Sequence, residues 1–207
     1  MAEPSFATDP ATAAYYQQRA QEYDDWYDST GLFADRDRPG WPSEVADLVE
    51  LVAAMEPAHT LDIACGTGYL TRHLRGFVVG IDQSEAMVAI TRGRQPTPRA
   101  LVADALALPF REGAFDRVFT GHFYGHLPPT ERHAFLAQVW RVAPELVVVD
   151  SAPREGVPNE LMQERVLSDG SRHEVFKRFL SGPELAAELD GDVLYDGRWF
   201  SAAVTRR

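Results

Sequence analysis

A chain of 207 residues, 45% hydrophobic and 25% charged, has the length for one domain with a substantial core and a globular composition, which excludes disordered, collagen-like and coiled-coil classes. Its 20 basic against 31 acidic residues leave a net charge of −11, a field that repels a nucleic-acid backbone, and no run approaches the roughly 18 apolar residues of a membrane span. Neither nucleic acid nor membrane is an expected partner, and the expected compartment is the cytoplasm. The N-terminus lacks the regions of a secretory signal, and the single cysteine, Cys65, cannot form an intramolecular disulfide. Oligomeric state, monomer or homodimer, is not legible.

Residues 1–10, polar and proline-bearing, read as a poorly ordered leader. Tyr15, Tyr16, Arg19, Ala20, Tyr23, Trp26 and Tyr27 fall at helical spacing and predict a helical stretch over 12–27 with an aromatic stripe. A loop over 31–42 follows. Ser43 is placed to cap a helix in which Val45, Leu48, Val49 and Val52 recur on one face, ending near Met55. From Thr60, apolar runs at 61–64, 77–81, 100–103, 118–120 and 146–149 alternate with helical stretches at 69–74, 85–94 and 130–142. That alternation predicts a parallel sheet with crossover helices. The connection over 105–114 has room for a turn or two of helix. Beyond Ser151, Asp169-Gly170 predicts a hairpin of 163–167 with 172–179, and Ser181-Gly182-Pro183-Glu184 opens a short helix with capping-box spacing. Asp196-Gly197 then joins 192–195 to 198–204, so the C-terminal part supplies antiparallel edge strands.

The decapeptide Leu61-Asp62-Ile63-Ala64-Cys65-Gly66-Thr67-Gly68-Tyr69-Leu70 runs from a strand through a Gly-x-Gly turn into a helix, a place where backbone N–H groups can approach a ligand closely. A nicotinamide-binding fingerprint would want a third glycine where Thr71 stands and an acid about 20 residues on, whereas Asp82 is nearer. Three acids follow one pattern: Asp62 in the first strand, Asp82 closing the second and Asp104 closing the third. Ligands of open α/β sheets sit outside the carboxyl ends of the strands, so these positions converge on one crevice. A carboxylate accepts two hydroxyl donors at once, which suits a cis-diol.

With Asp62-x-Ala64-x-Gly66-x-Gly68, Gly80-Ile81-Asp82-x-Ser84, Val102-Ala103-Asp104-Ala105 and Phe115-Asp116-Arg117-Val118, the sequence resembles the class I S-adenosylmethionine-dependent methyltransferases over roughly residues 12–150. The resemblance implies a Rossmann-like fold, a seven-stranded mostly parallel α/β sheet with antiparallel C-terminal strands and an N-terminal helical lid, in a single domain over 1–207. Leader and lid would occupy 1–41, the cofactor-binding core 42–151, and the substrate-side hairpin and C-terminal strands 152–207. It implies S-adenosyl-L-methionine as cofactor and no metal. Gly66 and Gly68 would pass its methionine and ribose parts, Asp82 would bind the ribose hydroxyls, and Asp104 with the Ala105 backbone would read the adenine. Asp62, Ala64, Thr67, Gln83, Met87, Leu106 and Thr120 complete the implied cofactor set. The family often has glycine where this chain has Ala64.

The segment from Tyr15 to Asp24 resembles the lid helix of small-molecule methyltransferases, which makes Tyr16, Arg19 and Tyr23 candidates for the cofactor head. Aromatic faces attract cations such as a sulfonium. Tyr15 and Tyr27 are candidates for the substrate side. After the fourth strand, His122 and His126 lie four residues apart, on one face of a helical turn. His126 is the expected general base or substrate-orienting group, and His122 is expected to line the cofactor and share the catalytic role. A metal pair would want a third ligand, and none stands at obvious spacing.

Arg165, Arg172 and Lys177, with Arg178, concentrate basic charge in an acidic chain. This stretch resembles a hairpin in a small-molecule subgroup that includes a phosphonate O-methyltransferase of antibiotic biosynthesis, and it implies an anionic or hydroxylated substrate held by Arg165, Arg172 and Lys177. Strand alternation sends Arg172 and Arg178 to one face and Lys177 to the other, so they cannot all line one pocket. A solvated hairpin with ion pairs to Glu164 and Glu174 is the competing reading. The expected reaction is methyl transfer to a small-molecule oxygen; nitrogen or carbon acceptors, a non-catalytic binding protein and a nicotinamide oxidoreductase are the alternatives.

Overall fold

Runs rich in Val, Ile and Leu form strands that need cover on both faces, and in the computed structural model, which describes residues 4–94 and 99–207, they receive it. The strands β1 (Ala58–Ile63), β2 (Gly76–Asp82), β3 (Arg99–Val102), β4 (Arg117–Gly121) and β5 (Glu145–Ser151) are parallel to their neighbours. β9 (Phe200–Arg206) pairs antiparallel with β5, and β8 (Asp192–Asp196) pairs with β9 at the edge, giving the order β3-β2-β1-β4-β5-β9-β8. Alternation divides the core. Leu146 and Val148 face a layer holding α5 (Pro129–Val142) and α6 (Gly182–Leu189); Val147 and Val149 face the layer of α3 (Trp41–Ala54). The remaining helices are α1 (Pro10–Arg19), α2 (Asp25–Asp28) and α4 (Glu85–Gly93). No helix among the described residues is long and apolar enough to cross a membrane.

Several expectations are corrected. The leader lies partly outside the described residues, at 1–3, but Ser5 to Thr8 are fastened down. Glu131 of α5 accepts hydrogen bonds from the backbone N–H of Phe6 at 3.1 Å, Ala7 at 2.8 Å and Thr8 at 3.3 Å, and from the Ser5 and Thr8 hydroxyls. Burial opposes its charge, yet these bonds outweigh that and hold its carboxyl below the ordinary range. The Phe6 ring is buried, worth about 1.5–3 kcal/mol, enough to order a short strap. The helical stretch of 12–27 breaks after Arg19 into a single 3-10 turn and the short α2. Tertiary bonds draw Asp24 away: it accepts from the Thr67 hydroxyl and pairs with Arg94.

Helix α3 begins at Trp41 with Gly40 (φ 81) before it, so Ser43 lies inside the first turn rather than capping it. Pro42, read as loop, occupies the helix start, where its missing N–H costs nothing. The stretch at 69–74 is only a 3-10 turn, Thr71–His73, because β2 begins at Gly76. Residues 105–114 form turns without a helix. The hairpin, β6 (Glu160–Val166) and β7 (Arg172–Arg178), makes a separate two-stranded sheet and does not join the main one.

Strand order reverses between β1 and β4, the switch point at which open α/β sheets leave a crevice. Both strands end in a non-glycine residue with left-handed backbone, Ala64 and His122, each at φ 59. Such a backbone strains an alanine by about 1–2 kcal/mol. Ala64→Gly is therefore expected to raise the unfolding free energy by about 0.5–1 kcal/mol after glycine's added chain entropy. A urea-denaturation midpoint no higher than that of the parent would remove the strain.

Candidate active site

The crevice is a cavity of about 330 Å³ roofed by the strap and α1. Its lining includes Tyr16 and Tyr23 from the lid, Ala64 and Gly66 after β1, Asp82 and Gln83 after β2, Met87 of α4, Asp104 and Ala105 after β3, and His122 after β4. All ten are expected site residues. Phe6, Ala7, Ile81, Val102, Ala103, Gly121 and Phe123 line it as well, without having been foreseen. Asp9-Pro10, an N-cap followed by proline at the helix start, was the available signal that ordered chain begins before residue 12.

Asp82 is held by the Gly66 N–H at 3.0 Å and the Ser84 N–H at 2.9 Å. Burial pushes its pKa up to about 6 against those bonds. Asp104 is exposed at the far end, accepting from Leu106 N–H at 2.8 Å. Gly66 keeps the turn open: its φ is 55, and a Cβ there would meet the Tyr23 ring at 3.5 Å. The lid is tied to the floor by Gln17, whose Oε1 accepts from the Ser84 hydroxyl at 2.8 Å and the Ala86 N–H at 3.2 Å.

Six other expected cofactor residues do not line this cavity. Thr67 bonds Asp24, Thr120 donates to the Ile63 carbonyl, Leu106 joins the core, and Gly68 (φ 77) lets the loop pack on Thr91. Asp62 is buried beneath the turn beside Tyr27, accepting from the Thr71 hydroxyl at 2.6 Å with its other oxygen unpartnered. Burial, then the neighbouring Asp82, raises its pKa to about 7. Arg19, also buried, donates to the Tyr15 hydroxyl at 2.6 Å and lies 4.9 Å from the Tyr23 ring centre.

The two histidines separate. His122 faces the cavity with both ring nitrogens buried and unpartnered, and burial lowers its pKa to about 4. His126 lines no cavity: its Nδ1 engages the Phe176 carbonyl at 2.6 Å and its ring stacks on Phe6 at 4.6 Å, so the expected base is a packed core histidine. Burial and Lys177 depress its pKa far below the ordinary value.

The basic residues separate too. Arg172 lies on the outer face of the hairpin, 67% exposed, paired with Glu164 at 2.6 Å. Lys177 is 2% exposed and buried against Asp150, which also accepts from the Gly125 N–H at 2.7 Å beneath the histidine loop. Breaking such a pair costs about 3–5 kcal/mol, so Lys177 is structural. Tyr15 is buried against His173, and Tyr27 stacks on Tyr69 at 3.9 Å. Of the expected substrate set, Tyr27 edges a crevice of about 20 Å³ beside Asp62, and Arg165 lines a much larger space. With Gln163 it faces a second cavity of about 840 Å³ between the hairpin and the start of α3, lined also by Trp26, Arg38, Trp41, Arg154, Phe179 and Trp199. These come from four distant segments, so no local signal announced them.

Eight buried side-chain polar atoms of the described residues lack a partner in the protein. Five belong to the two cavities: both His122 nitrogens, Arg38 Nε, Gln163 Oε1 and Arg165 Nε. The Trp26 ring, which lines the second cavity, lies 4.9 Å edge-on from that of His122, which lines the first.

Asp62 and Asp82 keep their protons in the folded chain at pH values where an unfolded aspartate, near 3.9, has lost them. Their stabilisation is full below about pH 4 and lost as pH rises through about 6 and 7. Asp62→Asn should therefore lose less stability than the parent between pH 5 and 8 in urea denaturation. Equal losses would contradict a protonated Asp62.

Comparison with known proteins agrees with this architecture. The methyltransferase domain family matches residues 60–145. The DhpI–SAM–HEP complex superposes with a TM-score of 0.73 at 27% identity, covering 95% of this chain and 96% of that one, and the DhpI–SAH complex with 0.70 at 29%, covering 95% of each. Demethylmenaquinone methyltransferase of Thermus thermophilus is 38% identical over 117 residues, 51% of this chain and 52% of that protein. The tRNA (carboxymethyluridine(34)-5-O)-methyltransferase alkbh8 of Xenopus tropicalis is 34% identical over 106 residues, 51% of this chain and 16% of that protein. The chain thus spans about half the length of the first of these relatives and less of the second. Strand order, the glycine turn with its strand-end acids, and near full-length superposition on DhpI give the chain the fold of the class I S-adenosylmethionine-dependent methyltransferases, with a methyltransferase domain match over residues 60–145.

Proposed function

We propose that the protein transfers the methyl group of S-adenosylmethionine to an anionic oxygen of a small molecule, with cofactor in the first cavity and acceptor in the second. The observation that carries this reading is the convergence of Asp82, Asp104 and His122, from the ends of β2, β3 and β4, on one cavity closed by a tyrosine-bearing lid. The residues present fit the cofactor. Asp82 has its carboxylate anchored by two N–H groups, which leaves acceptor capacity for both ribose hydroxyls. Asp104 and the Ala105 backbone stand where an adenine edge needs polar partners, with Met87 and Val102 offering apolar faces to the base. Gly66 and Ala64 let the chain approach the methionine part, while Tyr16 and Tyr23 present rings to a sulfonium. Bound there, S-adenosylmethionine supplies an electrophilic methyl on a positively charged sulfur.

The acceptor chemistry follows from charge. A histidine with a pKa of about 4 is neutral at cellular pH and a weak base, so His122 suits an acceptor oxygen that needs no proton removed. Its N–H would hold that oxygen in line, which is the main requirement of a displacement reaction. Arg165, without an ion pair among the described residues, supplies the charge that draws a carboxylate, phosphate or phosphonate to the spot. A net charge of −11 outside the cavity favours such a small molecule over a nucleic acid. The neighbour complexed with SAM and HEP supports the same reading.

Calorimetry tests the cofactor site: Asp82→Ala should weaken S-adenosylmethionine binding by about tenfold or more, the worth of one or two charged hydrogen bonds, with circular dichroism unchanged. Undiminished affinity would overturn the assignment. His122→Asn should lower kcat about tenfold or more through lost alignment. Its pH–rate profile between pH 6 and 8 should have the same shape as the parent's, since the histidine does not titrate there and the groups that do, Asp62 and Asp82, are common to both. A rate rising through pH 6.5 in the parent alone would restore a histidine base.

A further inference from the structure

The second cavity holds more positive charge than one acceptor oxygen requires, and that charge falls into two groups. Arg165 stands on β6 opposite His173, whose ring lies 5.0 Å from that of Tyr15 in the lid, the tyrosine that Arg19 bonds. Arg38 and Arg154 stand at the other side, repelled by one another and by the exposed Arg36. Lys177, which feels both Arg165 and Arg154, is neutralised by Asp150. Neither Arg38 nor Arg154 makes an ion pair among the described residues.

What holds Arg38 and Arg154 leaves their charge intact. The Arg38 guanidinium lies 3.9 Å from the Trp41 ring centre, donates to the Trp26 carbonyl at 2.9 Å and the Ser29 hydroxyl at 3.0 Å, and keeps a buried Nε with no partner. Arg154 lies 4.9 Å from the Phe179 ring centre. Aromatic faces and neutral acceptors orient a cation without cancelling it, and half-buried like charges repel more strongly than they would in water. Burial and the neighbouring arginines bring the Arg38 pKa down to about 10, so it remains charged at pH 7. An anion between Arg38 and Arg154 would remove this cost, and none of the described residues supplies one: the acids at the cavity, Asp37 and Glu155, are exposed and pair with neither.

We infer that the acceptor is a small molecule with two separate anionic groups, one bearing the methylated oxygen at Arg165 and His122, the other seated between Arg38 and Arg154. This rests on the proposed function and adds its substrate class: a dicarboxylate, or a carboxylate carrying a phosphate or phosphonate at its other end. The distal site fixes specificity, because an acceptor lacking the second group leaves two guanidinium groups unpaired.

The test is calorimetric, on the full chain saturated with S-adenosylhomocysteine, with 3-phosphonopropanoate as a probe carrying two anionic groups and propylphosphonate as one carrying a single group. The two-group probe should bind about tenfold tighter, the contribution of a charged hydrogen-bonded contact. Arg154→Met should abolish that advantage, and Arg154→Lys should restore part of it. Equal affinities, no binding of either probe at millimolar concentration, or an advantage that survives Arg154→Met would each overturn the inference. A parallel titration with S-adenosylmethionine separates the readings: cofactor binding without a two-group advantage removes this inference alone, and absence of cofactor binding removes both.

Discussion

The reversal of strand order between β1 and β4 is the constraint on which the molecule depends. Neighbouring parallel strands whose connections leave in opposite directions cannot both be covered at their carboxyl ends, so an opening forms there. The chain must then turn sharply at both ends, and Ala64 and His122 pay with left-handed backbones. At His122 the turn aims an imidazole into the opening; at Ala64 it carries the chain round to Gly66, whose N–H reaches Asp82. Cavity, anchored carboxylate and presented histidine are three consequences of one topological fact.

Over that opening lies a roof fastened in two ways. Phe6 and Tyr15 join the apolar core beneath, while Glu131 grips the strap, Gln17 ties α1 to α4, Asp24 reaches the glycine turn, and Glu22 accepts from the Ser168 N–H of the hairpin tip at 3.0 Å. Each such bond is worth about 0.5–1.5 kcal/mol, so the polar ties can open one at a time around the two buried rings.

The protein also sorts its buried cations. Lys177 is neutralised by Asp150 and supports the loop carrying the histidines, whereas Arg38, Arg154 and Arg165 face a cavity whose acids, Asp37 and Glu155, are exposed and pair with none of them. Buried charge without a partner is costly, and its concentration at one cavity marks where an anion belongs. An overall charge of −11 conceals this interior.

How much of this was legible in the sequence divides along physical lines. The alternation of apolar runs and helical stretches, the glycine turn and the acids at strand ends are local patterns, so the parallel sheet and the convergence of Asp82, Asp104, Gly66 and His122 on one cavity could be read directly. Propensity and spacing act over a few residues, and these features need no more. Which basic residues face inward was beyond that reach: Arg172, Lys177 and Arg165 share one hairpin, yet one is exposed, one is ion-paired in the core and one lines a cavity. The strap around Phe6 depends on Glu131, 125 residues away, and the arginine and tryptophan lining of the second cavity on four segments meeting in space. His126 had the spacing of a catalytic residue, but Phe6 and the Phe176 carbonyl enclose it. Sequence determined the frame and the first cavity's strand-end lining because hydrophobic periodicity and turn chemistry are local. Only the tertiary structure decided which charges are compensated, because a partner for a buried charge is supplied by whatever distant segment packs against it.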